Sequence, residues 1–197
     1  MTSNPPNRTD LRAQYLARRN NIPPAERSRA EAAVTSNLQR FLAPRCDDAQ
    51  SICLAAYVAV NGEVDCRAYW QSFAKICLPV VLSATQMAFY QVESGATLKP
   101  NRWRIPEPDP QQHVKCSCLD IVLMPLVAFD TRGTRLGMGG GYYDRYLASF
   151  SHMPLRVGVA FERQCHPSDL PRDIWDMPMD AVVTEDRVLE FRTTSLV

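Results

Sequence analysis

The residues best suited to chemistry lie in one short segment rich in glycine. Four of the chain's eight glycines fall between positions 137 and 141, after an apolar run and before a predicted helix. A glycine-dense turn between a strand and a helix can aim consecutive backbone N–H groups at one anion. Missing Cβ atoms also let that backbone approach a phosphate closely. Because Arg135 and Arg145 bracket the turn with positive charge, the segment predicts a phosphate-binding loop.

The glycine spacing separates this loop from two common nucleotide-binding motifs. No Gly-Lys-Ser/Thr ends it, which excludes a Walker A loop, and residues 137–141 (GMGGG) do not follow G-x-G-x-x-G. A second interpretation stays open here, in which the glycines serve only a tight turn that needs positive φ. Asp144 stands beside the loop, and one or two carboxylates combined with phosphate oxygens commonly hold Mg²⁺.

Seven cysteines are scattered through the chain without a repeated C-x-x-C pattern. Cys53 and Cys77 lie inside apolar runs, where a thiol behaves as a small buried hydrophobe. Disulfide frameworks are typical of short secreted chains, so we expect reduced thiols. Zinc is the sharper alternative, although the C-x-C spacing disfavours it. Its ligands would be His113, Cys116, Cys118, Cys165 and His166.

Length and composition predict a single domain over residues 1–197, with residues 1–7 as a flexible arm. Hydrophobic residues make up 46% of the 197 residues and charged residues 22%, which excludes a disordered or fibrous protein. The net charge of +1 argues against a nucleic-acid partner. No apolar run approaches the ~20 residues of a membrane span, and the start lacks a signal-peptide pattern. We therefore expect a protein without a membrane or nucleic-acid partner. We also expect it to be cytoplasmic and a monomer, although no sequence pattern gives the oligomeric state.

The apolar patterns predict alternating strands and helices. Two helices come first, separated at Pro23-Pro24, and short helices are expected near Tyr69 and after the glycine loop. Pro79 argues for a strand end or an irregular segment within 76–82, and the four prolines of 98–112 predict a stiff surface loop. Strands are predicted within 51–60, 76–82, 87–92, the first half of 119–129, 155–161, 181–184 and 188–191. This alternation predicts an α/β fold with a largely parallel sheet flanked by helices.

The glycine segment resembles the signature of the 5-formyltetrahydrofolate cyclo-ligase (5,10-methenyltetrahydrofolate synthetase) family. That signature reads R-L-G-x-G-x-G-Y-Y-D after a strand ending in P-x-x-x-F-D. Here Pro125 to Asp130 precede the stretch from Arg135 to Asp144. Other family marks follow in order along almost the whole chain: residues 8–12 (RTDLR), 62–65 (GEVD), 78–81 (LPVV), 103–108 (WRIPEP) and 176–184.

The resemblance implies a NagB/RpiA/CoA-transferase-like fold and an enzyme that acts on 5-formyltetrahydrofolate with ATP and Mg²⁺. Transfer of the γ-phosphoryl group to the formyl oxygen would create a good leaving group. Attack by N10 and loss of phosphate would then give 5,10-methenyltetrahydrofolate. Such a reaction needs positioning and charge neutralisation more than a covalent protein group. Two alternatives stay open: another ATP-dependent ligase on this fold, and a module that only binds folate or nucleotide.

The resemblance assigns two groups of residues to ATP. The first comprises Arg8, Thr9, Asp10, Leu11 and Arg12, with Arg8 where the family usually has Lys. The second comprises Arg135, Leu136, Gly137, Met138, Gly139, Gly140, Gly141, Tyr142 and Tyr143, with Met138 where some members have a basic residue. Arg135 and Asp144 are the predicted catalytic residues. Asp144 and, second, Asp176 are the predicted Mg²⁺ ligands.

The substrate-binding residues implied by the resemblance are Val58, Glu63, Trp103, Met138, Gly139, Gly140, Gly141 and Tyr142. A Glu63 carboxylate can accept hydrogen bonds from the pterin, and Trp103 can stack on a ring. Of Tyr142 and Tyr143, we expect one to face the site and one the core.

Plainer interpretations of these residues also stay open. Arg8 and Arg12 fit a solvated helix face, and Glu63 fits a turn or a helix start. Asp176 could be a surface acid, as we expect for its neighbours Asp169, Asp173 and Asp180. The histidines match no family mark and are expected to be surface or structural residues.

Overall fold

The computed structural model describes residues 7–46, 51–70, 73–93 and 95–191. Its strands are β1 (Cys53–Ala55), β2 (Lys75–Val81), β3 (Met87–Val92), β4 (Lys99–Pro100), β5 (Pro106–Glu107), β6 (Ile121–Pro125), β7 (Ala128–Phe129), β8 (Arg135–Leu136), β9 (Leu155–Val159), β10 (Ala181–Val183) and β11 (Val188–Glu190). Seven of them form one sheet in the order β11-β10-β9-β6-β1-β2-β3. The five inner strands pair in parallel, and the edge strands β3 and β11 pair antiparallel. The predicted α/β fold is confirmed.

Four helices accompany the sheet: α1 (Arg8–Asn20), α2 (Pro24–Leu42), α3 (Arg67–Trp70) and α4 (Tyr142–Leu147). The Asn7 side chain caps α1 by accepting hydrogen bonds from the N–H groups of Thr9 and Asp10 at 2.9 and 3.0 Å. Pro24 opens α2, as the sequence predicts. Of the predicted flexible arm, residues 1–6 lie outside the described residues, and Asn7 belongs to the helix cap.

The sheet is buried on both faces because successive strand residues point to opposite sides. On β1, Leu54 packs into the core under α2 and α3, whereas Ala55 packs into the core under α4. The helix α1 lies apart from both cores. Its Leu11 and Tyr15 pack against the β7–β8 hairpin through residues such as Leu136. Three apolar clusters therefore fix the helices around the sheet.

The first strand is much shorter than the predicted 51–60. β1 ends at Ala55, and after one further backbone bond, from the Ala56 N–H to the Cys77 carbonyl, the chain leaves the sheet. Residues 56–60 are apolar outside any strand: Ala56 and Tyr57 are buried, and residues 58–60 are partly buried. A continuous apolar run does not distinguish these two environments.

The prediction of an irregular segment at Pro79 was wrong, because β2 is regular from Lys75 to Val81. Pro79 pairs with Phe89 of β3 in normal register. Its nitrogen faces the side of β1, as the backbone of Cys77 does two residues earlier. Since β1 ends opposite Cys77, that side requires no N–H at Pro79.

Two predicted loops contain short hairpins. The stretch 98–112, predicted as a stiff surface loop, includes the pair β4–β5. The glycine region 133–141 begins with β8, which pairs antiparallel with β7. The loop proper therefore starts at Gly137, and Arg135 stands on a strand.

Cysteine pairing and one acidic residue also differ from the predictions. Cys77 and Cys116 form a disulfide with their Cα atoms 6.7 Å apart, so the expectation of reduced thiols was wrong for these two. The five candidate zinc ligands are not gathered into one group within the described residues. Asp180, expected at the surface, is only 3% exposed and pairs with the buried Arg156. In the described part of the chain, every helix is too short or too polar to span a bilayer.

Candidate active site

A cleft of about 1270 Å³ opens at the carboxyl ends of β1, β2 and β6. β1 lies between β6 and β2 in the sheet. After β1 the chain forms β2 on one side of it, and it later forms β6 on the other side. Open α/β sheets bind ligands at such a switch point. The floor of the cleft is formed by β2, by the end of β6 and by the residues that follow β1 and β6: Tyr57, Val58, Val60, Pro79, Val81, Pro125 and Leu126.

The glycine loop, residues 137–141, forms one wall of this cleft. Gly139 and Gly141 have φ values of 96° and 63°, which glycine adopts without the strain of a Cβ. A Cβ on Gly139 would lie 3.4 Å from the guanidinium carbon of Arg12. The turn therefore requires glycine for its conformation, and it also presents bare backbone to the cleft.

Arg135 and Asp144 form an ion pair beside the loop. The Nη2 of Arg135 donates to Asp144 Oδ1 at 2.6 Å, and the Nη1 donates to the Met177 carbonyl. The Met177 N–H donates to the same Asp144 oxygen at 3.0 Å. The Arg135 side chain is 6% exposed and that of Asp144 is 21% exposed. Asp144 Oδ2 accepts no hydrogen bond from the described residues, which leaves it for a ligand.

Two arginines of α1 reach the same end of the cleft. The Nη1 of Arg8 donates to Asp173 at 2.6 Å and to Asp176 at 2.8 Å. The Nε of Arg12 donates to the Gly137 carbonyl at 2.8 Å. Burial, followed by the charge of Arg8, lowers the pKa of Arg12. This end, which we call the arginine end, combines guanidinium groups with the glycine loop.

A third arginine of α1 fixes the helix to the cleft floor. Arg19 is 1% exposed and donates to the carbonyls of Leu126 at 3.0 Å and Asn61 at 2.8 Å. Leu126 and Asn61 themselves line the cleft. Arg8 and Arg12 are thereby placed by a buried contact two to three turns further along the same helix.

The same cleft also contains Glu63, and we call the part around it the carboxylate end. Its Oε2 accepts a hydrogen bond from the Val60 N–H at 3.0 Å. Burial raises the pKa of Glu63, against the lowering effects of that hydrogen bond and of Arg19. The nearby Tyr143 hydroxyl is buried and has no hydrogen-bond partner among the described residues. A ligand bound here would meet one carboxylate and one unsatisfied hydroxyl.

An aromatic lip borders the cleft. Trp103 is 47% exposed and sits in a turn where Arg104 has a φ of 62°. The Asn101 side chain holds this turn by accepting hydrogen bonds from the N–H groups of Trp103 and Ile105. Tyr142 lines the cleft as well, and its hydroxyl donates to the Ser83 carbonyl at 3.3 Å. Tyr143 also lines the cleft, but its ring packs against Phe89 in the core, so one tyrosine faces the site and the other lies against the core, as expected.

The structure separates the predicted site residues into two groups. Thr9 and Asp10 are exposed outside the cleft, and Leu11 and Leu136 are buried in the core. The remaining residues all line the cleft: Arg8, Arg12, Val58, Glu63, Trp103, Arg135, Gly137, Met138, Gly139, Gly140, Gly141, Tyr142, Tyr143, Asp144 and Asp176.

Sequence reasoning missed two residues at the arginine end, Asp173 and Trp175. Asp173 lies at the surface, as expected, with 46% of its side chain exposed, and it pairs with Arg8. Trp175 is 67% exposed at the cleft. The adjacent family mark at Asp176 was the only signal that could have drawn attention to them. His166, expected to be structural, bonds through Nδ1 to the Tyr15 hydroxyl at 2.8 Å, away from the cleft.

The two predicted Mg²⁺ ligands differ in how well they fit a cation. Asp144 has one carboxylate oxygen without a described hydrogen bond, and such an oxygen suits Mg²⁺ shared with phosphate oxygens. Asp176 is engaged by Arg8 and by the Asp173 N–H at 2.8 Å. It could bind a cation only after these contacts rearrange. The donor set therefore fits Mg²⁺ at Asp144 better than at Asp176.

Fold and cleft together define an α/β protein with an open cleft at the carboxyl ends of parallel strands, lined by a glycine loop. Comparison with known proteins narrows this class. Residues 4–185 match the profile of the 5-formyltetrahydrofolate cyclo-ligase family. The chain belongs to this family of enzymes.

Individual relatives agree with this assignment. The 5-formyltetrahydrofolate cyclo-ligase of Escherichia coli K12 is 37% identical over 147 residues, which cover 70% of this chain and 80% of the relative. The Haemophilus influenzae cyclo-ligase is 32% identical over 181 residues, covering 87% and 94%. The NMR structure of Aquifex aeolicus 5,10-methenyltetrahydrofolate synthetase matches with a TM-score of 0.80 at 35% identity, covering 95% of this chain and 94% of that one.

Proposed function

We propose that this chain cyclises 5-formyltetrahydrofolate to 5,10-methenyltetrahydrofolate, using ATP and Mg²⁺ and releasing ADP and phosphate. The observation that carries the proposal is a single cleft with two chemically different ends. Arginines and a glycine loop form one part of its lining, and the partly buried Glu63 carboxylate with aromatic side chains forms another. Each substrate thereby has suitable partners in the cleft, and the proposal places their reacting groups next to each other there.

The arginine end suits a triphosphate. Arg8, Arg12 and Arg135 supply fixed positive charge, and guanidinium groups bind phosphate oxygens in a bidentate manner. The glycine loop can add backbone N–H groups as further donors to the phosphates. Arg8 would exchange at least part of its contact with Asp173 and Asp176 for the nucleotide.

The carboxylate end suits the folate. Glu63 can accept hydrogen bonds from the amino and ring N–H groups of a pterin, and the unsatisfied Tyr143 hydroxyl can bond to a ring heteroatom. Trp103, at the lip, provides a flat apolar surface for an aromatic ring. A ligand of this kind would satisfy buried polar groups that otherwise destabilise the free enzyme.

The chemistry requires the formyl oxygen to face the γ-phosphorus. That oxygen attacks phosphorus, the bond to the ADP oxygen breaks, and the formyl oxygen becomes part of a phosphate leaving group. N10 then attacks the formyl carbon, loses its proton, and expels phosphate. In the proposed roles, Arg135 stabilises the charge on the transferring group, and the loop holds the phosphates in line.

Asp144, helped by Asp176 after rearrangement, would hold Mg²⁺, which neutralises phosphate charge during transfer. Arg135 keeps the Asp144 carboxylate in place through a 2.6 Å contact. The Met177 N–H contributes a second fixed contact to the same oxygen. The carboxylate is thus oriented before any ligand binds.

The deciding experiment follows the near-ultraviolet absorbance of the methenyl product after the purified protein is mixed with 5-formyltetrahydrofolate, ATP and Mg²⁺. We expect the absorbance to rise only when all three are present, with one ADP formed per product. ATP hydrolysis without methenyl product, or binding without turnover, would contradict the proposal. For variants of the cleft arginines, Arg132→Ala is the matched control and should keep full activity. Arg132 is exposed and pairs with Asp169 outside the cleft.

A further inference from the structure

Three cysteines meet in one cluster on the face of the sheet that α4 covers. Cys53 lies at the start of β1 and Cys77 on the neighbouring β2, and the Cys77–Cys116 disulfide ties β2 to the segment beyond β3. The Sγ atoms of Cys53 and Cys77 are 3.4 Å apart. All three Sγ atoms lie within 4.8 Å of one another. A thiol therefore stands in contact with a disulfide.

We infer that Cys53, Cys77 and Cys116 form a thiol–disulfide exchange site, in which Cys77 alternates between Cys116 and Cys53 as its partner. The inference is independent of the folate chemistry. It rests on contact between a thiol sulfur and a disulfide sulfur, the two groups that react in exchange.

The exchange step leaves the oxidation state unchanged. The Cys53 thiol loses its proton to solvent, and its sulfur attacks Cys77 Sγ. The Cys53–Cys77 bond forms while the Cys77–Cys116 bond breaks, and Cys116 departs as a thiolate that takes up a proton. The three sulfurs form a triangle, so the Cys53 side chain must rotate to reach the in-line position for attack. Cys53 is only partly buried, which leaves room for this rotation.

Burial distinguishes the central cysteine from the two outer ones. Cys77 is fully buried, whereas Cys53 and Cys116 are both partly exposed. A small external thiol such as glutathione can therefore reach the two outer sulfurs but not the central one. This arrangement makes Cys77 the shared partner and directs outside reagents to the ends of the cluster.

The surroundings of Cys53 make the exchange slow at neutral pH. Burial, followed by the charges of Cys118 and Asp120, raises the pKa of Cys53 to about 11, and Lys75 opposes this. From the side of α4, Tyr146 faces the same thiol. Because only the thiolate attacks, the exchange rate should rise about tenfold per pH unit below that pKa.

The test is peptide mapping by mass spectrometry of protein equilibrated with oxidised and reduced glutathione, then acid-quenched and alkylated. In Cys116→Ser we expect a Cys53–Cys77 disulfide and no glutathione on Cys77. Cys165→Ser, outside the cluster, should keep the Cys77–Cys116 bond. Absence of the Cys53–Cys77 peptide in Cys116→Ser, or glutathione on Cys77, would overturn the inference.

A second measurement avoids dependence on that variant. Wild-type protein without reductant is treated with N-ethylmaleimide, which labels Cys116 whenever exchange releases its thiolate. We expect Cys53→Ser to reduce Cys116 labelling at least tenfold. Equal labelling in both proteins would show that Cys53 takes no part and would overturn the inference.

Discussion

Two arginine–aspartate pairs, Arg135–Asp144 and Arg156–Asp180, share the same chemistry in different surroundings. In the second pair, Asp180 accepts three hydrogen bonds from Arg156, two from the guanidinium and one from the backbone N–H. Both side chains there are at most 4% exposed. In the first pair, Asp144 opens to the cleft and is 21% exposed.

The comparison shows that the role of an ion pair is indicated by whether its carboxylate keeps an oxygen free to accept a further hydrogen bond, and not by the ion pair alone. Asp180 directs both oxygens at one arginine and holds β9 against β10. Asp144 accepts hydrogen bonds from Arg135 and from the Met177 N–H, and both reach the same oxygen, Oδ1. We therefore expect matched substitutions in the two pairs to separate stability from activity.

Asp180→Asn should have the largest effect, on stability. It leaves the buried Arg156 guanidinium without a countercharge, which costs about 3–5 kcal/mol of the free energy of unfolding. Urea denaturation monitored by circular dichroism measures this loss. Turnover per folded molecule should stay near that of the wild type. A loss below about 1 kcal/mol would remove the distinction between the two pairs.

Asp144→Asn should act on activity instead. Turnover should fall about 10²- to 10³-fold, because the substitution removes a charge that faces the transferring phosphoryl group and its cation. Its loss of unfolding free energy should be smaller than that of Asp180→Asn, since solvent reaches this pair. The absorbance assay and the same urea experiment provide both values. Equal destabilisation in the two variants would make the cleft pair structural.

Arg8→Ala tests a third, more exposed ion pair. We expect the KM for ATP to rise roughly tenfold through loss of a charge-assisted contact. Stability should change by less than about 1 kcal/mol, because a partly exposed ion pair contributes little. Steady-state kinetics at varied ATP measures the first value. An unchanged KM would show that Arg8 does not contact ATP and serves only its ion pairs with Asp173 and Asp176.

Glu63→Gln examines a carboxylate that has no direct arginine partner. The KM for 5-formyltetrahydrofolate should rise about fivefold as a charged acceptor is lost. The raised pKa of Glu63 means that the folded protein binds this proton more tightly than the unfolded chain. Wild-type stability should therefore fall as pH rises from about 4.5 through the raised pKa, and the fall should be smaller in the variant. Identical pH profiles of unfolding would contradict the raised pKa.

The sequence predicted those features that depend on local patterns. The strands β6 and β9 are apolar runs bounded by turn residues, and the glycine loop is visible as composition. The cleft residues came from the family resemblance, because Glu63 and Trp103 have no local signal of their own. Asp180 was misjudged because its partner Arg156 lies 24 residues away and meets it only when β9 and β10 pair.

Other features depend on contacts that no local pattern reveals. Cys77 and Cys116 are separated by 39 residues, and their pairing requires the register of β2 with β3 and of β3 with the segment at Lys115. The end of β1 at Ala55 was also hidden, because residues on either side of that point are equally apolar.

That early end of β1 has a consequence for anyone who redesigns the protein. Past Ala55, the sheet between β2 and β6 is left unbridged, and the substrates would occupy this gap. Lengthening the strand would add backbone hydrogen bonds and harden the fold against heat. The same extension would fill the cleft, so a longer β1 would raise thermal stability at the expense of substrate binding.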